Sequence, residues 1–99
     1  EVETSPTMAE GIAIAQPARG DQMLAAVART QGKFLDVSEE ELLEALRLCL
    51  EQGYFIEPTA AAAFAGARQL VGRGVDAGNI LTVFTGHGLK AASTLAKCF

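Results

Sequence analysis

The sequence has no tryptophan, one tyrosine, one histidine, three prolines and two cysteines in 99 residues. Each shortage excludes something. Cys49 and Cys98 stand far apart and neither has a CxxC partner, which argues against a disulfide scaffold and against a zinc site. The only histidine, His87, has no Cys/His/Asp cluster around it, so a metal centre has too few ligands in view. Basic residues number 8 against 12 acidic ones, a net charge of -4, and this leaves no electrostatic footprint for nucleic acid or an anionic membrane. No apolar run approaches the ~20 residues of a membrane span. The opening residues, Glu1-Val2-Glu3-Thr4-Ser5-Pro6, have neither the basic nor the apolar region of a signal peptide. A cytoplasmic chain with no nucleic-acid and no membrane partner is therefore expected. Neither a GxGxxG turn nor a GxxxxGK[ST] phosphate loop occurs.

What is present is the composition of a folded domain, with 49% hydrophobic and 20% charged residues in a length that suits one core. Residues 1–20 hold two of the three prolines and one short alternating stretch, Gly11-Ile12-Ala13-Ile14-Ala15, and are expected to form an extended N-terminal arm arriving from elsewhere. Asp21 can cap a short amphipathic helix carrying Met23, Leu24 and Val27, stopped at Gly32. Lys33-Phe34-Leu35-Asp36-Val37 suits a strand. Ser38-Glu39-Glu40-Glu41 is a capping box, in which the serine hydroxyl accepts from the Glu41 amide and the Glu41 carboxylate reaches back to the Ser38 amide. The helix it opens places Leu42, Leu43, Leu46, Cys49 and Leu50 on one stripe and ends at Gly53.

Tyr54-Phe55-Ile56 reads as a very short strand, and Glu57-Pro58 starts a further helix, since proline suits the first helical position and an acid favours the positive end. The alanine run from Thr59 to Ala67 is small and apolar nearly all round, as in a helix buried between other elements. A turn at Val75-Asp76-Ala77-Gly78 leads to the apolar strand Asn79-Ile80-Leu81-Thr82-Val83-Phe84, which runs into Thr85-Gly86-His87-Gly88. The alternation of helix and strand predicts an α/β fold, a partial three-layer sheet with mostly parallel strands and a core over 21–90, followed by a tail at 91–99.

In open α/β sheets, ligands bind beyond the carboxyl ends of strands, which makes Thr85 a candidate. Its hydroxyl can donate or accept one neutral hydrogen bond, and Gly86 and Gly88 let the backbone approach a planar ligand. The bland alternative is that Thr85-Gly86 ends a strand and nothing more. Glu57 also has two readings, as the acid of a helix start or as a carboxylate pointing into the pocket of Thr85. His87 reads as a turn residue rather than a catalyst. Lys33, Lys90 and Lys97 all sit at solvated turns or in the tail, where an amine keeps its proton and makes a poor nucleophile.

Four segments, Ala9-Glu10-Gly11-Ile12-Ala13-Ile14 with Pro17-Ala18-Arg19-Gly20, Val37-Ser38-Glu39-Glu40-Glu41-Leu42, Ile56-Glu57-Pro58-Thr59-Ala60-Ala61-Ala62, and Leu81-Thr82-Val83-Phe84-Thr85-Gly86-His87-Gly88-Leu89-Lys90, resemble in order and spacing the closing part of threonine synthases. These are fold-type-II pyridoxal-phosphate enzymes, a class that includes the tryptophan synthase beta subunit and the serine/threonine dehydratases. The ending Thr-Gly-His-Gly-Leu-Lys is the more selective motif, since related dehydratases tend to carry a Ser-Gly-Gly-Asn type turn. The resemblance implies that the Thr85 hydroxyl hydrogen-bonds the pyridine nitrogen of pyridoxal phosphate, that Gly86 lets the backbone pass the ring edge, and that Glu57 lies near the ring.

The family's covalent lysine, the asparagine at the ring hydroxyl and the glycine-rich phosphate loop have no counterpart in this sequence. The resemblance thus implies a C-terminal fragment, inactive alone in converting O-phosphohomoserine to threonine and binding the cofactor weakly or not at all, with the remainder of a parent polypeptide as its partner. The same segment of a cysteate synthase or a serine/threonine dehydratase is the near alternative. A small non-catalytic interaction module is the distant one. Apolar surface left open by missing neighbours favours a homo-oligomer, and exchange of the 1–20 arm between chains is one route to it.

Overall fold

The structure, a computed structural model, describes residues 3–99. Four α-helices follow one another: α1 (Gly20–Arg29), α2 (Glu39–Glu51), α3 (Pro58–Gly72) and α4 (Ala92–Cys98), with single 3-10 turns at Glu10–Ile12 and Gly88–Ala91. α2 begins where the sequence places it. Glu41 N donates to Ser38 Oγ at 3.1 Å and Ser38 N to Glu41 Oε2 at 2.8 Å, so two amides that a helix start would leave orphaned are satisfied reciprocally. It ends on Gln52, and Gly53 follows at φ +85, a left-handed conformation that an L side chain would resist.

The core lies between α2 and α3. Leu42, Leu46 and Cys49 from α2 meet Ala60 and Ala61 from α3, and Ala9, Ile56 and Leu95 close the cluster. Fully burying Leu42 and Leu46 contributes ~1.5–3 kcal/mol each. The alanines let the two helices approach closely, so the small residues of α3 are spent on the α2 side. α3 is covered chiefly on that side, because Ala63 and Arg68 are exposed and Ala62, Phe64 and Ala67 are half-buried. α1 begins at Gly20 with Asp21 inside its first turn rather than as its cap, and it has no buried residue. Its intended apolar stripe, Met23 and Leu24 included, faces outward.

The expected sheet does not form: no strand occurs among the described residues, and the one ladder contact is an isolated bridge between Ile56 and His87, antiparallel where parallel pairing was expected. The physical reason is the want of neighbours. A strand is stable only when its N–H and C=O groups meet those of another, and the amides of residues 33–37 and 79–85 donate to no backbone carbonyl. Both segments lie on the open side of α3 as opposite walls of a groove of about 600 Å³, Leu35 and Val37 on one wall and Ile80 to Val83 on the other. Leu81 is 90% exposed and Val83 62%, so one face of a run apolar enough for a strand covered on both is bare. The Cα radius of gyration, 14.2 Å, exceeds the ~13 Å of a compact chain this long, and the least extent is 20 Å. The molecule is a flat layer with one open face.

The ends pack on the core. Gly11 N donates to Thr59 Oγ1 at 3.0 Å and Met8 N to Glu39 Oε2 at 3.0 Å, which seats Ala9 in the core, and Leu95 of α4 anchors the segment expected as a tail. Gln69 ties the open side to the rest: its Nε2 donates to the Asp36 carbonyl at 2.8 Å and to the Glu41 carboxylate at 3.0 Å.

The Glu41 carboxyl is held below the ordinary glutamate range by the Ser38 amide first and the Gln69 amide next. A depressed pKa stabilises the fold above the unfolded value, and that contribution is lost as pH falls through the folded one. Urea unfolding from pH 7 down to pH 3 is expected to show a shallower loss of stability in Glu41→Gln than in the native sequence; equal slopes would remove Glu41 from the acid response.

Candidate functional site

Ile56 is only 5% exposed and buries into the α2–α3 core, which fixes the short segment before α3. That segment holds the Thr85 turn by exchange of backbone bonds. Glu57 N donates to Gly86 O at 3.0 Å, Gly88 N donates to Phe55 O at 2.9 Å, and Ile56 opposes His87 between them. Aromatic pairs flank the clamp, Tyr54 with Phe84 at 5.8 Å between centroids and Phe55 with His87 edge-on at 5.2 Å. The start of α3 is thereby set beside Thr85-Gly86, although the strand expected to end there is unpaired.

The space beside the two glycines is taken by side chains of the opposite segment. A Cβ on Gly86 would stand 1.7 Å from Glu57 Oε1, and one on Gly88 would stand 2.7 Å from the Phe55 ring. The Glu57 carboxylate therefore lies directly over Gly86. Glu57 is the N-cap residue of α3, yet its side chain makes no capping hydrogen bond; Pro58 at the first helical position and the positive end of the helix favour the acid there all the same. Its side chain is 14% exposed, and Lys90 Nζ stands 3.6 Å from Oε1.

Thr85 is exposed, and its hydroxyl has no hydrogen-bond partner among the described residues. It opens on a concavity of about 250 Å³ that it shares with Gly86, Phe84, Phe55, Ile56 and His87. Of the sequence-derived residues, Gly86 and Glu57 are in contact, and Thr85 stands next to them with a free hydroxyl. His87 is a turn residue: its Nδ1 accepts from Leu89 N at 3.2 Å, which assigns the ring proton of the neutral form to Nε2. Lys90 is exposed and paired, and Lys33 and Lys97 are exposed, so no lysine of the three is desolvated. The larger concavities, of about 600 and 470 Å³, follow the uncovered side of α3 beside Ile80 and Thr82 and lie away from Thr85. They are uncovered packing surface rather than a polar site. The Lys90–Glu57 pair was not foreseen in the sequence, because the 32 intervening residues carry no periodic signal that joins a helix cap to a later turn.

The family model of pyridoxal-phosphate dependent enzymes matches residues 1–86. Among curated relatives, the chain is similar to the threonine synthase of Synechocystis sp., 39% identical over 85% of this chain and 22% of the relative. It is also similar to that of Halalkalibacterium halodurans, 35% identical over 94% of this chain and 27% of the relative. With that of Methanocaldococcus jannaschii it shares 34% identity over 85% of this chain and 22% of the relative. The chain thus spans about a quarter of the length of the curated relatives it matches, and the match is to their C-terminal part.

Gly86→Ala is expected to push the Glu57 side chain off the turn and to lower the unfolding midpoint slightly, by less than the ~1–3 kcal/mol of core overpacking, because a carboxylate at the end of a flexible side chain can swing aside. Adding Glu57→Ala should recover most of it in urea unfolding. No recovery would show that the clash is with the backbone and not with the carboxylate.

Proposed function

The chain belongs to the pyridoxal-phosphate dependent enzyme family, and we propose that it forms the C-terminal portion of a threonine-synthase-like enzyme, one that converts O-phosphohomoserine to threonine and phosphate. The observation that carries this reading is the free Thr85 hydroxyl at the mouth of a small concavity, held by a glycine turn of the matching sequence. When bound, pyridoxal phosphate supplies an electron sink for charge that develops on the amino-acid substrate. The residues present fit one edge of it. Thr85 would hold the ring nitrogen through one neutral hydrogen bond, and a hydroxyl, unlike a carboxylate, does not keep that nitrogen protonated. Gly86 leaves the ring edge room, because its Cα has no side chain on a turn already crowded by Glu57. Glu57 places a mostly buried carboxylate behind that turn.

The described residues offer no desolvated lysine and no glycine-rich phosphate cradle, and this supports the view that the chain alone is inactive and binds the cofactor weakly or not at all. The partner is then the remainder of the parent polypeptide, which would supply strands for the unpaired segments 33–37 and 79–85. Until that face is covered, exposed Leu81, Val83, Phe34 and Met23 favour association of copies.

Two measurements test this. In the full-length parent, Thr85→Asp is expected to shift the absorbance maximum of the bound cofactor and to lower the rate by about tenfold or more, which corresponds to ~1.4 kcal/mol of lost transition-state stabilisation. An unchanged spectrum with an unchanged rate would remove Thr85 from the ring nitrogen. For the chain alone, sedimentation at high micromolar concentration is expected to give a dimer or larger species, and a stable monomer would count against association.

A further inference from the structure

We propose that Lys90 is a positioning residue for Glu57, holding its carboxylate over Gly86 in the turn that follows Thr85. The bearing on pyridoxal phosphate rests on the function proposed above; the contact itself does not. Three observations carry it. The other described ion pairs are exposed and local to α2, Glu44 and Glu51 with Arg47, whereas Lys90–Glu57 joins the turn after Thr85 to the start of α3. The Glu57 side chain is 14% exposed and accepts no hydrogen bond among the described residues, so Lys90 is its one cationic partner there. Third, Lys90 sits in the 3-10 turn Gly88–Ala91, whose start is pinned by Gly88 N donating to Phe55 O and Leu89 N donating to His87 Nδ1, so its backbone is held at a fixed place.

A carboxylate taken largely out of water is costly unless it is paired. Without Lys90, the Glu57 side chain has two better places to go, outward into water or back onto the Thr59 amide, the one first-turn N–H of α3 that donates to no carbonyl. Either would uncover Gly86.

The test uses the 99-residue chain without cofactor, so its failure is distinct from failure of the cofactor reading. Backbone amide resonances of Thr85 and Gly86 are followed by 1H–15N NMR in Lys90→Met, Lys90→Arg, Glu57→Gln and the double variant Lys90→Met/Glu57→Gln. Lys90→Met should move both resonances, Lys90→Arg should leave them near their native positions, and the shift caused by Lys90→Met should be at least about twofold smaller when Glu57 is already glutamine, as coupled residues behave in a double-mutant cycle. Resonances that stay in place in Lys90→Met, or that move equally with and without the Glu57 carboxylate, would overturn the proposal. Lys90→Gln is a second variant at the same exposed site. Loss of folding in both would also overturn it, since a positioning side chain 66% exposed is not needed by the core.

Discussion

The backbone exchange between residues 55–57 and 86–88 is the constraint on which the site depends. Two hydrogen bonds and one bridge are a small amount of structure, of the order of a kcal/mol per bond in net terms. Their leverage comes from where they are anchored. Ile56 is in the core, Pro58 begins α3 one residue beyond Glu57, and so the clamp transfers the position of the α2–α3 pair to the Thr85 turn. Without it, the apolar segment before Thr85 would have no fixed relation to the rest, because nothing else pairs with its backbone.

The same clamp explains the glycines more closely than a general need for flexibility. Gly86 and Gly88 are not in the left-handed region; they are glycines because Glu57 and Phe55 occupy the space where their side chains would stand. Close approach, rather than turn geometry, selects them. A carboxylate, a free hydroxyl and a turn with no side chain are thereby gathered at one edge of the molecule, while the groove beside 33–37 and 80–83 remains an open packing face.

Helices were legible in the sequence because their signals are local. The Ser38/Glu41 capping box, the leucine stripe of α2, Gly53 after it and Pro58 at the head of α3 all stand where the chain reads them. The strands were not, since alternation and apolar content report how a segment would pack if it had neighbours, and segments 33–37 and 79–84 have none to pair with. The alanine run was read as buried on several sides for the same reason, and α3 is covered chiefly by α2. The short helix α4 was missed because Leu95 is its one buried residue and gives no periodicity. Thr85, Gly86 and Glu57 were singled out as candidates through a motif, whereas the pairing of Glu57 with Lys90 is a product of tertiary structure alone.

The proposed role of Thr85 is to present a neutral hydroxyl to the ring nitrogen of pyridoxal phosphate once the open face of this chain is covered. A crystal structure of the full-length parent with cofactor bound tests it most directly. Thr85 Oγ1 is expected within hydrogen-bonding distance of the ring nitrogen, ~2.7–3.2 Å, with the backbone of Gly86 passing the ring edge. A carboxylate or an ordered water on that nitrogen, with the Thr85 hydroxyl turned away, would contradict it.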